Sequence, residues 1–307
     1  MQNCHVCETN LKTKLSEVKD VQTGDLFSLL VCENCGLGQT YSSPENLAKY
    51  YAEYHGKRHG FTTDYCDWRR IRWVEKSVGN SQTKKLLDIG CGSGTFLDTA
   101  KKRNWQTVGT ELNAEKFQDS GLEVHEDLNK VAGNHAPESF DAITLWHTLE
   151  HFKNPREILM KARELLSKNG SILIAVPNFG GFQSKMFGKN WLHLDMPRHL
   201  FHFSFESLKL LLEQCGFSIK WHRHQEFEYD LLGWSQSALN TFSDTPNVFF
   251  KTLAGQKNGI SSTKIAVNAL FGTAFSAAAL PFVPFSALLK KGGTIVISAS
   301  KEKIVHR

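Results

Sequence analysis

Short apolar runs alternate with helical stretches from Lys84 onward, and this alternation predicts the fold of most of the chain. Between Arg156 and Lys168, apolar side chains recur at helical spacing before the Asn169-Gly170 pair ends the pattern. Strands that alternate with helices are typical of βαβ units and a parallel sheet, so an α/β domain is predicted. The predicted strands are Lys85 to Ile89, Gln106 to Thr110, Ala142 to Trp146, Ile172 to Val176, Ile219 to His222 and Thr294 to Ala299.

Two segments that precede this domain differ from it in composition. Residues 1–40 hold four of the seven cysteines, whereas residues 41–80 are polar and aromatic with no period of two. A period of two is what an alternating strand would show, so residues 41–80 are predicted to be helices that link two domains. The prediction is therefore a small module over 1–40, a helical linker over 41–80 and the α/β domain over 81–307.

The composition is that of an ordinary globular protein. Of the 307 residues, 41% are hydrophobic and 22% are charged, which excludes wholesale disorder and a polytopic membrane protein. The formal net charge of +5 permits an anionic partner without requiring one. The opening MQNCHVCETN lacks the basic and apolar run of a signal peptide, so we expect a cytoplasmic location. In that reducing compartment the cysteines are expected to be thiols or metal ligands.

Two CxxC knuckles indicate a metal site. Cys4 and Cys7 form the first and Cys32 and Cys35 the second, with 24 residues between the knuckles. Four thiolates suit a tetrahedral Zn²⁺ whose closed coordination sphere leaves no position for a catalytic water, so the zinc is predicted to be structural. Such ligation supplies about 10 kcal/mol of apparent folding free energy, which so small a module needs. The alternatives are His5 in place of one ligand, or reduced cysteines without metal.

A glycine-rich turn follows the first strand of the α/β domain. Asp88 precedes Gly90, Gly92 and Gly94, which gives a DxGxGxG pattern in place of the GxGxxG of dinucleotide sites. Glycines let a ligand lie against bare backbone. The acid ahead of them would repel a pyrophosphate but attract an ammonium, such as the amino-acid end of S-adenosylmethionine. The turn is therefore predicted to bind that cofactor.

Further cofactor contacts are predicted at the ends of the next strands. Glu111 follows the second strand and can accept hydrogen bonds from both ribose hydroxyls, as an acid does at that place in mononucleotide-binding sheets. Asp127 lies where a third strand should end and can accept from the adenine amino group, although an incidental acid is the alternative. Leu128, beside Asp127, and Trp146, at the end of the fourth strand, complete the predicted set.

Four successive segments of this domain carry a family resemblance: LLDIGCGSGTFL, VGTELN, SFDAITLWHTLEHFKNP and NGSILIAVPN. Together they resemble the ordered motifs of class I S-adenosylmethionine-dependent methyltransferases, and the resemblance covers about residues 84–300. It implies a Rossmann-like sheet of seven strands whose last strand is antiparallel and lies beside its predecessor.

The N-terminal segment carries a second resemblance. CENCGLGQT followed by SSPENLAKYYAEYH is similar to the zinc-ribbon segment fused to bacterial methyltransferases that act on sugars or surface-glycan precursors. Residues 177–217 closely match the stretch that follows the fifth strand in that broad subfamily. The resemblance implies a small Cys4 zinc ribbon in front of the α/β domain, and it indicates the cofactor far better than it indicates the acceptor.

Three histidines are candidate general bases, because methyl transfer to a hydroxyl requires removal of its proton. His147 follows the fourth strand, at the edge of the sheet where ligands bind in open α/β folds. His151 is either catalytic or a residue that orients a turn. His199 follows a glycine-containing loop, a predicted lid, and there it either contacts substrate or has a structural role. Arg198 beside it is a candidate ligand for a substrate phosphate or carboxylate.

An apolar insertion over about residues 231–293 precedes the last predicted strand. It contains 25 consecutive uncharged residues, 265–289, with lysines on both sides. Two prolines divide this run into legs too short to cross a bilayer, and the strand that follows must return to the sheet. Two interpretations remain: peripheral contact with an anionic membrane, or a helical cap packed over the active site or against a second subunit.

Together these patterns predict an enzyme that uses S-adenosylmethionine to methylate, on oxygen, a sugar-containing small molecule or a lipid-linked glycan precursor. One alternative is an RNA methyltransferase, which the zinc ribbon and positive charge suggest but the lack of a dense basic and aromatic stripe disfavours. The other is a noncatalytic scaffold that binds S-adenosylmethionine and zinc. The expected location is the cytoplasm, and the alternative is the inner face of the membrane.

Overall fold

The computed structural model describes residues 2–44, 46–51, 62–79, 84–256 and 259–302, and eleven strands and eleven helices lie in these ranges. The strands are β1 (Leu11–Lys19), β2 (Leu26–Cys32), β3 (Gly38–Tyr41), β4 (Lys85–Ile89), β5 (Gln106–Thr110), β6 (Glu123–His125), β7 (Phe140–Trp146), β8 (Leu166–Pro177), β9 (Phe201–His202), β10 (Phe217–Arg223) and β11 (Thr294–Lys301). The helices are α1 (Ala48–Tyr51), α2 (Thr63–Val78), α3 (Thr95–Lys101), α4 (Leu128–Asn134), α5 (Pro155–Leu165), α6 (Phe182–Phe187), α7 (Phe205–Gln214), α8 (Phe227–Phe242), α9 (Val248–Leu253), α10 (Ser262–Ala279) and α11 (Phe282–Leu288).

The chain separates into two compact units, each assembled from three stretches. The first unit consists of Met1–Gly60, Pro177–Leu208 and Arg223–Ile295, and the second of Phe61–Val176, Lys209–His222 and Val296–Arg307. The division into a small module over 1–40, a helical linker over 41–80 and an α/β domain over 81–307 stays a prediction.

The larger sheet has seven strands in the order β10-β11-β8-β7-β4-β5-β6, which confirms the predicted Rossmann-like architecture. Its centre is parallel: β4 lies between β5 and β7, with Leu87 opposite both Val108 and Ile143. Leu86 and Leu87 are fully buried, as expected for a central parallel strand that is covered on both faces. β11, the last strand in the chain, takes its place between β10 and β8.

The six predicted apolar runs all lie within observed strands. The further strand expected to end near Asp127 is the short β6. Helix α5 is shorter than the predicted Arg156 to Lys168. It begins after Asn154, whose side chain accepts a hydrogen bond from the backbone N–H of Glu157 at 3.3 Å. It ends at Leu165 because Leu166 is already extended and pairs with Phe140 of β7.

Helix α2 belongs to the second unit, although it lies in the predicted linker. Its buried side chains recur at helical spacing and include Ile71 and Val74 in the main apolar core. Trp73, on the same helix, packs its ring against Trp146 of β7 and Trp221 of β10 at centroid distances of 6.3 and 6.5 Å. Residues 52–61 of the predicted linker lie outside the described residues.

The first unit is built on a four-stranded antiparallel sheet in the order β1-β2-β3-β9. β9 comes from far along the chain and pairs with β3, so that Gly38 lies opposite His202. A Cβ on Gly38 would lie 2.9 Å from the Cβ of His202, which explains the glycine. Phe27, Tyr50 and Trp191 pack together against this sheet in a separate apolar core.

The predicted insertion is helical in the described residues, from α8 to α11. Helix α10 packs on α8 and α9 through small residues, and a Cβ on Gly272 would lie 2.6 Å from the Phe249 ring. Within the described residues no single helix meets the length and hydropathy expected of a membrane span. Helices α10 and α11 meet it only as a pair, with a bend of 44° between them.

Candidate functional site

The glycine-rich turn joins β4 to α3, and its backbone requires glycine at two positions. Gly90 has φ of +76°, and a Cβ there would lie 2.3 Å from the Cγ2 of Thr148. Gly94 has φ of +80°, and its Cβ would lie 2.8 Å from the Phe117 ring. Gly92 also has positive φ but faces open space, since nothing lies within 4 Å of its Cβ position. The turn therefore exposes bare backbone at Gly92.

Asp88 lies at the end of β4 and is almost fully buried. Its Oδ1 accepts a hydrogen bond of 2.6 Å from the Thr144 hydroxyl on the neighbouring strand β7. Burial raises the pKa of Asp88 to about 7, while Thr144 and the positive charge of Arg70 oppose that rise. The carboxyl group is therefore held close to its point of ionisation at neutral pH.

Glu111 follows β5, the strand beside β4, and its carboxylate reaches the turn. The backbone N–H of Gly92 donates to Glu111 Oε2 at 2.9 Å. The sheet order thus brings Asp88, the glycine turn and Glu111 to one edge, as predicted from the strand ends.

Asp127 and Leu128 lie after β6, the next strand along this edge. Asp127 is the N-cap of α4, and its Oδ1 accepts from the backbone N–H groups of Asn129 and Lys130 at 2.8 and 2.9 Å. Leu128 is buried beneath the helix start. The capping contacts account for the acid at position 127, and its contact with an adenine stays a prediction.

Helix α2 adds two charged residues that the sequence patterns did not identify. Asp67 and Arg70 are both buried, 3.9 Å apart, and the guanidinium lies 5.0 Å over the ring of Trp146. In the sequence, their spacing along the apolar stripe of α2 was the one feature that could have identified Asp67 and Arg70. The charges of Arg70, Asp67 and Glu111 all act on Asp88, and two of these three are negative.

The side chains and exposed backbone around the glycine turn fit S-adenosylmethionine. A net negative group of side chains suits a cationic ligand and opposes a pyrophosphate. Asp88 can neutralise an ammonium and Glu111 can accept from ribose hydroxyls, while the exposed backbone at Gly92 leaves room for a ligand. Trp146 ends β7 with its ring edge-on to Phe96 at 5.6 Å, which gives this edge an apolar wall.

His147 and His151 lie at the same end of β7. His147 is buried and has a left-handed backbone, with φ of +53°, which is uncommon for a residue other than glycine. Its backbone N–H donates to the carbonyl of Ala175 at 2.8 Å, and its Nδ1 lies 4.0 Å from Glu150 Oε1. Strained backbone of this kind concentrates at functional sites. His151 ends a short 3-10 turn that starts at Leu149.

His199 and Arg198 belong to the first unit. Nδ1 of His199 lies 2.9 Å from the carbonyl of His193, and Nε2 lies 4.0 Å from Asp195 Oδ2. Arg198 is 1% exposed and donates to Asp20 at 2.8 Å, to Asp195 at 2.6 Å and to the carbonyl of Tyr50 at 3.1 Å. The observed contacts of Arg198 are therefore internal, and contact with a substrate anion stays a prediction.

The four predicted zinc ligands converge in the first unit. Their sulfur atoms all lie within 4.8 Å of one another, with Cys4 and Cys35 at 3.5 Å and Cys7 and Cys32 at 3.3 Å. A tetrahedral zinc with Zn–S bonds of about 2.3 Å requires sulfurs about 3.8 Å apart, so this cluster fits the ion. His5 packs its ring against Phe201 at 5.0 Å and is not part of the cluster.

The thiols differ in acidity because they differ in environment. Burial raises the pKa of Cys4, and it raises that of Cys35 far above its ordinary range. Burial also acts to raise the pKa of Cys7, but hydrogen bonds led by Thr9 outweigh it and lower that pKa to about 6. An ion with two positive charges would favour the thiolate at all four positions.

Comparison with protein families places a methyltransferase model on this region. A family model described as "Methyltransferase domain" matches residues 58–220, slightly more than half of the chain. The matched range contains α2, the glycine turn, Glu111 and the end of β7, and so includes the candidate site.

Curated relatives and a solved structure agree with that match. The chain is 25% identical over 122 residues to a ubiquinone biosynthesis O-methyltransferase of Klebsiella pneumoniae, covering 36% of this chain and 50% of that protein. It is 26% identical over 133 residues to the protein of the same name from Salmonella paratyphi A, covering 40% and 52%. The chain thus spans about half the length of the curated relatives it matches. A SAM-dependent methyltransferase from Archaeoglobus fulgidus has a similar fold, with a TM-score of 0.50 and 19% identity over 84% of this chain and 100% of that one.

The pKa of Asp88 predicts how cofactor affinity depends on pH. Because a raised carboxyl pKa of about 7 means that the charged form appears only near and above pH 7, affinity for S-adenosylmethionine should rise about fivefold or more from pH 5.5 to 7.5. Asp88→Asn should weaken binding by about 1 to 3 kcal/mol at pH 7.5 and flatten the profile. Titration calorimetry measures both. A wild-type affinity that does not change with pH would contradict the assignment.

The zinc cluster predicts a local effect of losing one ligand. Metal analysis should find one zinc per wild-type chain and none in Cys32→Ser, and hydrogen exchange should increase in residues 2–44. Binding of S-adenosylmethionine should stay within about twofold of wild type, because the cofactor residues lie in the other unit. Cys215→Ala, which removes a buried thiol outside the cluster, should retain its zinc. Wild-type protein without zinc would exclude the metal site.

The buried ion pairs of Arg198 predict a stability defect. Arg198→Leu removes the cationic partner of the fully buried Asp20, which keeps only its local hydrogen bonds from Gln22 and Thr23, and should lower the free energy of unfolding by about 3 to 5 kcal/mol. The double variant Arg198→Leu/Asp20→Asn should recover part of that loss. Denaturant unfolding provides the measurement. Unchanged stability with lost turnover would instead indicate that the guanidinium acts on substrate.

Proposed function

Since this chain belongs to the class I S-adenosylmethionine-dependent methyltransferases, we propose that it transfers the methyl group to a hydroxyl oxygen of a small molecule. The observation that carries the proposal is the clustering of Asp88, Glu111 and His147 at the carboxyl ends of adjacent strands. Asp88 and Glu111 suit the cofactor, and His147 suits an acceptor hydroxyl that must lose its proton. The name O-methyltransferase of the curated relatives supports oxygen as the receiving atom.

In the reaction, bound S-adenosylmethionine supplies an electrophilic methyl group on a sulfonium. Asp88 and Glu111 orient it by holding its ammonium and ribose, and thus fix the direction from which the acceptor oxygen must approach. His147 takes the hydroxyl proton as the new C–O bond forms and the C–S bond breaks. A neutral imidazole suits this role near pH 7.

The proposed acceptor is a sugar-containing small molecule or a lipid-linked glycan precursor, used at the inner face of the membrane. The support for this class is the similarity of the N-terminal segment and of residues 177–217 to methyltransferases of that kind. Both stretches contribute mainly to the first unit, whereas the predicted cofactor residues lie in the second. An RNA acceptor is disfavoured because the sequence lacks a dense stripe of basic and aromatic residues, although its net charge is positive.

A methyl-transfer screen tests the function directly. Purified protein is incubated with methyl-labelled S-adenosylmethionine and either nucleotide-linked or lipid-linked sugars, and labelled products are identified by mass spectrometry. A labelled methyl ether supports the proposal. Products labelled on nitrogen, or cofactor binding without turnover on any sugar, would contradict it.

Replacing His147 tests the assigned base. Because asparagine tolerates the left-handed backbone at this position, His147→Asn removes the imidazole with little added strain. We expect kcat to fall by about 10²- to 10⁴-fold while the Kd for S-adenosylmethionine changes less than about twofold. His151→Gln and His199→Gln provide the comparison. A larger loss of kcat in either of them would transfer the role to that histidine.

A further inference from the structure

The outward face of α10 and α11 is mostly apolar from Val267 to Leu289. Eight large apolar side chains of this segment are between 47% and 80% exposed: Val267, Leu270, Phe271, Leu280, Phe282, Phe285, Leu288 and Leu289. The opposite side of the pair is apolar as well, since Ala279 and Val283 pack against Trp234. A helix on the surface of a water-exposed domain normally presents polar residues outward, so this surface requires a different environment.

Three hydroxyl side chains within the pair bond to the helix backbone. The Thr273 hydroxyl donates to the carbonyl of Ala269 at 2.7 Å, and the Ser276 hydroxyl donates to Gly272 at 2.8 Å. In α11 the Ser286 hydroxyl donates to the carbonyl of Val283 at 2.9 Å. Hydroxyls that are satisfied in this way add little cost when a helix enters a low-dielectric medium.

The charged residues that flank the pair in sequence, from Lys251 to Lys301, are all lysines. Lys264 precedes the apolar run, Lys290 and Lys291 follow it, and Lys251 lies on the neighbouring helix α9. From Thr245 to Lys301 the sequence contains no aspartate or glutamate. Among the described residues, none of these four lysines forms an ion pair. An anionic surface would therefore find matching charge beside the apolar face.

We infer that α10 and α11 form a peripheral anchor that inserts its apolar face into an anionic lipid bilayer. The exposed side chains enter the boundary between headgroups and acyl chains, and the lysines at both ends of the pair contact lipid phosphates. The inference does not depend on the proposed acceptor, since membrane binding is measured without methyl transfer.

The connections of the pair favour insertion from one side over a full crossing. α10 is about 27 Å long, and the chain bends by 44° before α11. α8, which packs on α10, precedes the pair, and β11 of the larger sheet follows it after Gly292 and Gly293. Because β10 precedes the segment, β11 follows it and the two strands are neighbours in the larger sheet, both ends of the segment remain on the protein side of the bilayer.

Vesicle flotation of the full chain tests the inference. Vesicles of phosphatidylcholine alone are compared with vesicles that also contain phosphatidylglycerol, at low and at high salt. We expect the protein to float with the anionic vesicles at low salt, and binding to weaken at high salt and without phosphatidylglycerol. Protein that stays at the bottom of the gradient with anionic vesicles at low salt would overturn the inference.

Two variants separate the charged from the apolar contribution. Lys290→Gln/Lys291→Gln should lower partitioning to anionic vesicles by about 25-fold, which corresponds to about fivefold for each lysine. Phe285→Ser/Leu288→Ser should lower partitioning by about tenfold or more on both vesicle types. These two positions are chosen because Phe282 also contacts Trp234, at 5.9 Å, and its loss could disturb the fold.

Matched controls change the same chemistry elsewhere. Lys102→Gln/Lys209→Gln removes two positive charges elsewhere, one directly after α3 and one on α7. Leu26→Ser/Met160→Ser removes two exposed apolar side chains. Both should float as wild type does, and equal losses in the controls would overturn the inference. Light scattering without lipid distinguishes a membrane anchor from a dimer interface. If the wild type does not float but is a dimer, and Phe285→Ser/Leu288→Ser is a monomer, the surface joins two copies of the chain.

A depth measurement does not rely on a loss of binding. Phe285→Trp places a fluorophore on the outward face of α11, and lipids brominated on the acyl chain quench fluorescence on contact. Quenching above that of wild type in the same vesicles supports insertion. Fluorescence that matches the wild-type response would contradict it.

Discussion

Parallel pairing of β4 with β5 and β7 is the constraint on which the candidate site depends. It sets Asp88, Glu111 and His147 at the ends of three adjacent strands, although they are far apart in sequence. The pairing requires close packing beneath the turn: a Cβ on Gly109 of β5 would lie 2.8 Å from both Cys91 Sγ and Leu97. The same packing removes water from Asp88, and this desolvation raises its pKa towards neutrality.

Much of the larger sheet and the cofactor edge could be predicted from sequence, because local patterns specify them. Apolar runs mark the strands, and the glycines and acids at their ends are adjacent to those runs. α2 was harder to interpret, since its aromatic and charged residues hide a buried stripe. Only the tertiary structure shows that Asp67 and Arg70 on this helix face the strand ends.

Long-range contacts account for what the sequence did not reveal in the first unit. Arg198 bonds to Asp20, which is 178 residues away, and no local pattern connects the two. An arginine that binds a substrate anion is accessible to that anion, whereas Arg198 is buried in an ion pair with Asp20. In the same way β9 supplies the last strand of the N-terminal sheet, which the two CxxC knuckles alone could not indicate.

The join between β3 and β9 links the cysteine cluster to a candidate catalytic histidine. The Thr40 hydroxyl in β3 donates to the carbonyl of His199 at 2.6 Å and lies 3.1 Å from His202 Nε2. The Ser204 hydroxyl, just beyond β9, donates to the carbonyl of Cys35 at 3.1 Å. A rearrangement of the four cysteines would therefore reach the segment around His199 through the Ser204 hydrogen bond and the β3–β9 pairing, without passing through the larger sheet.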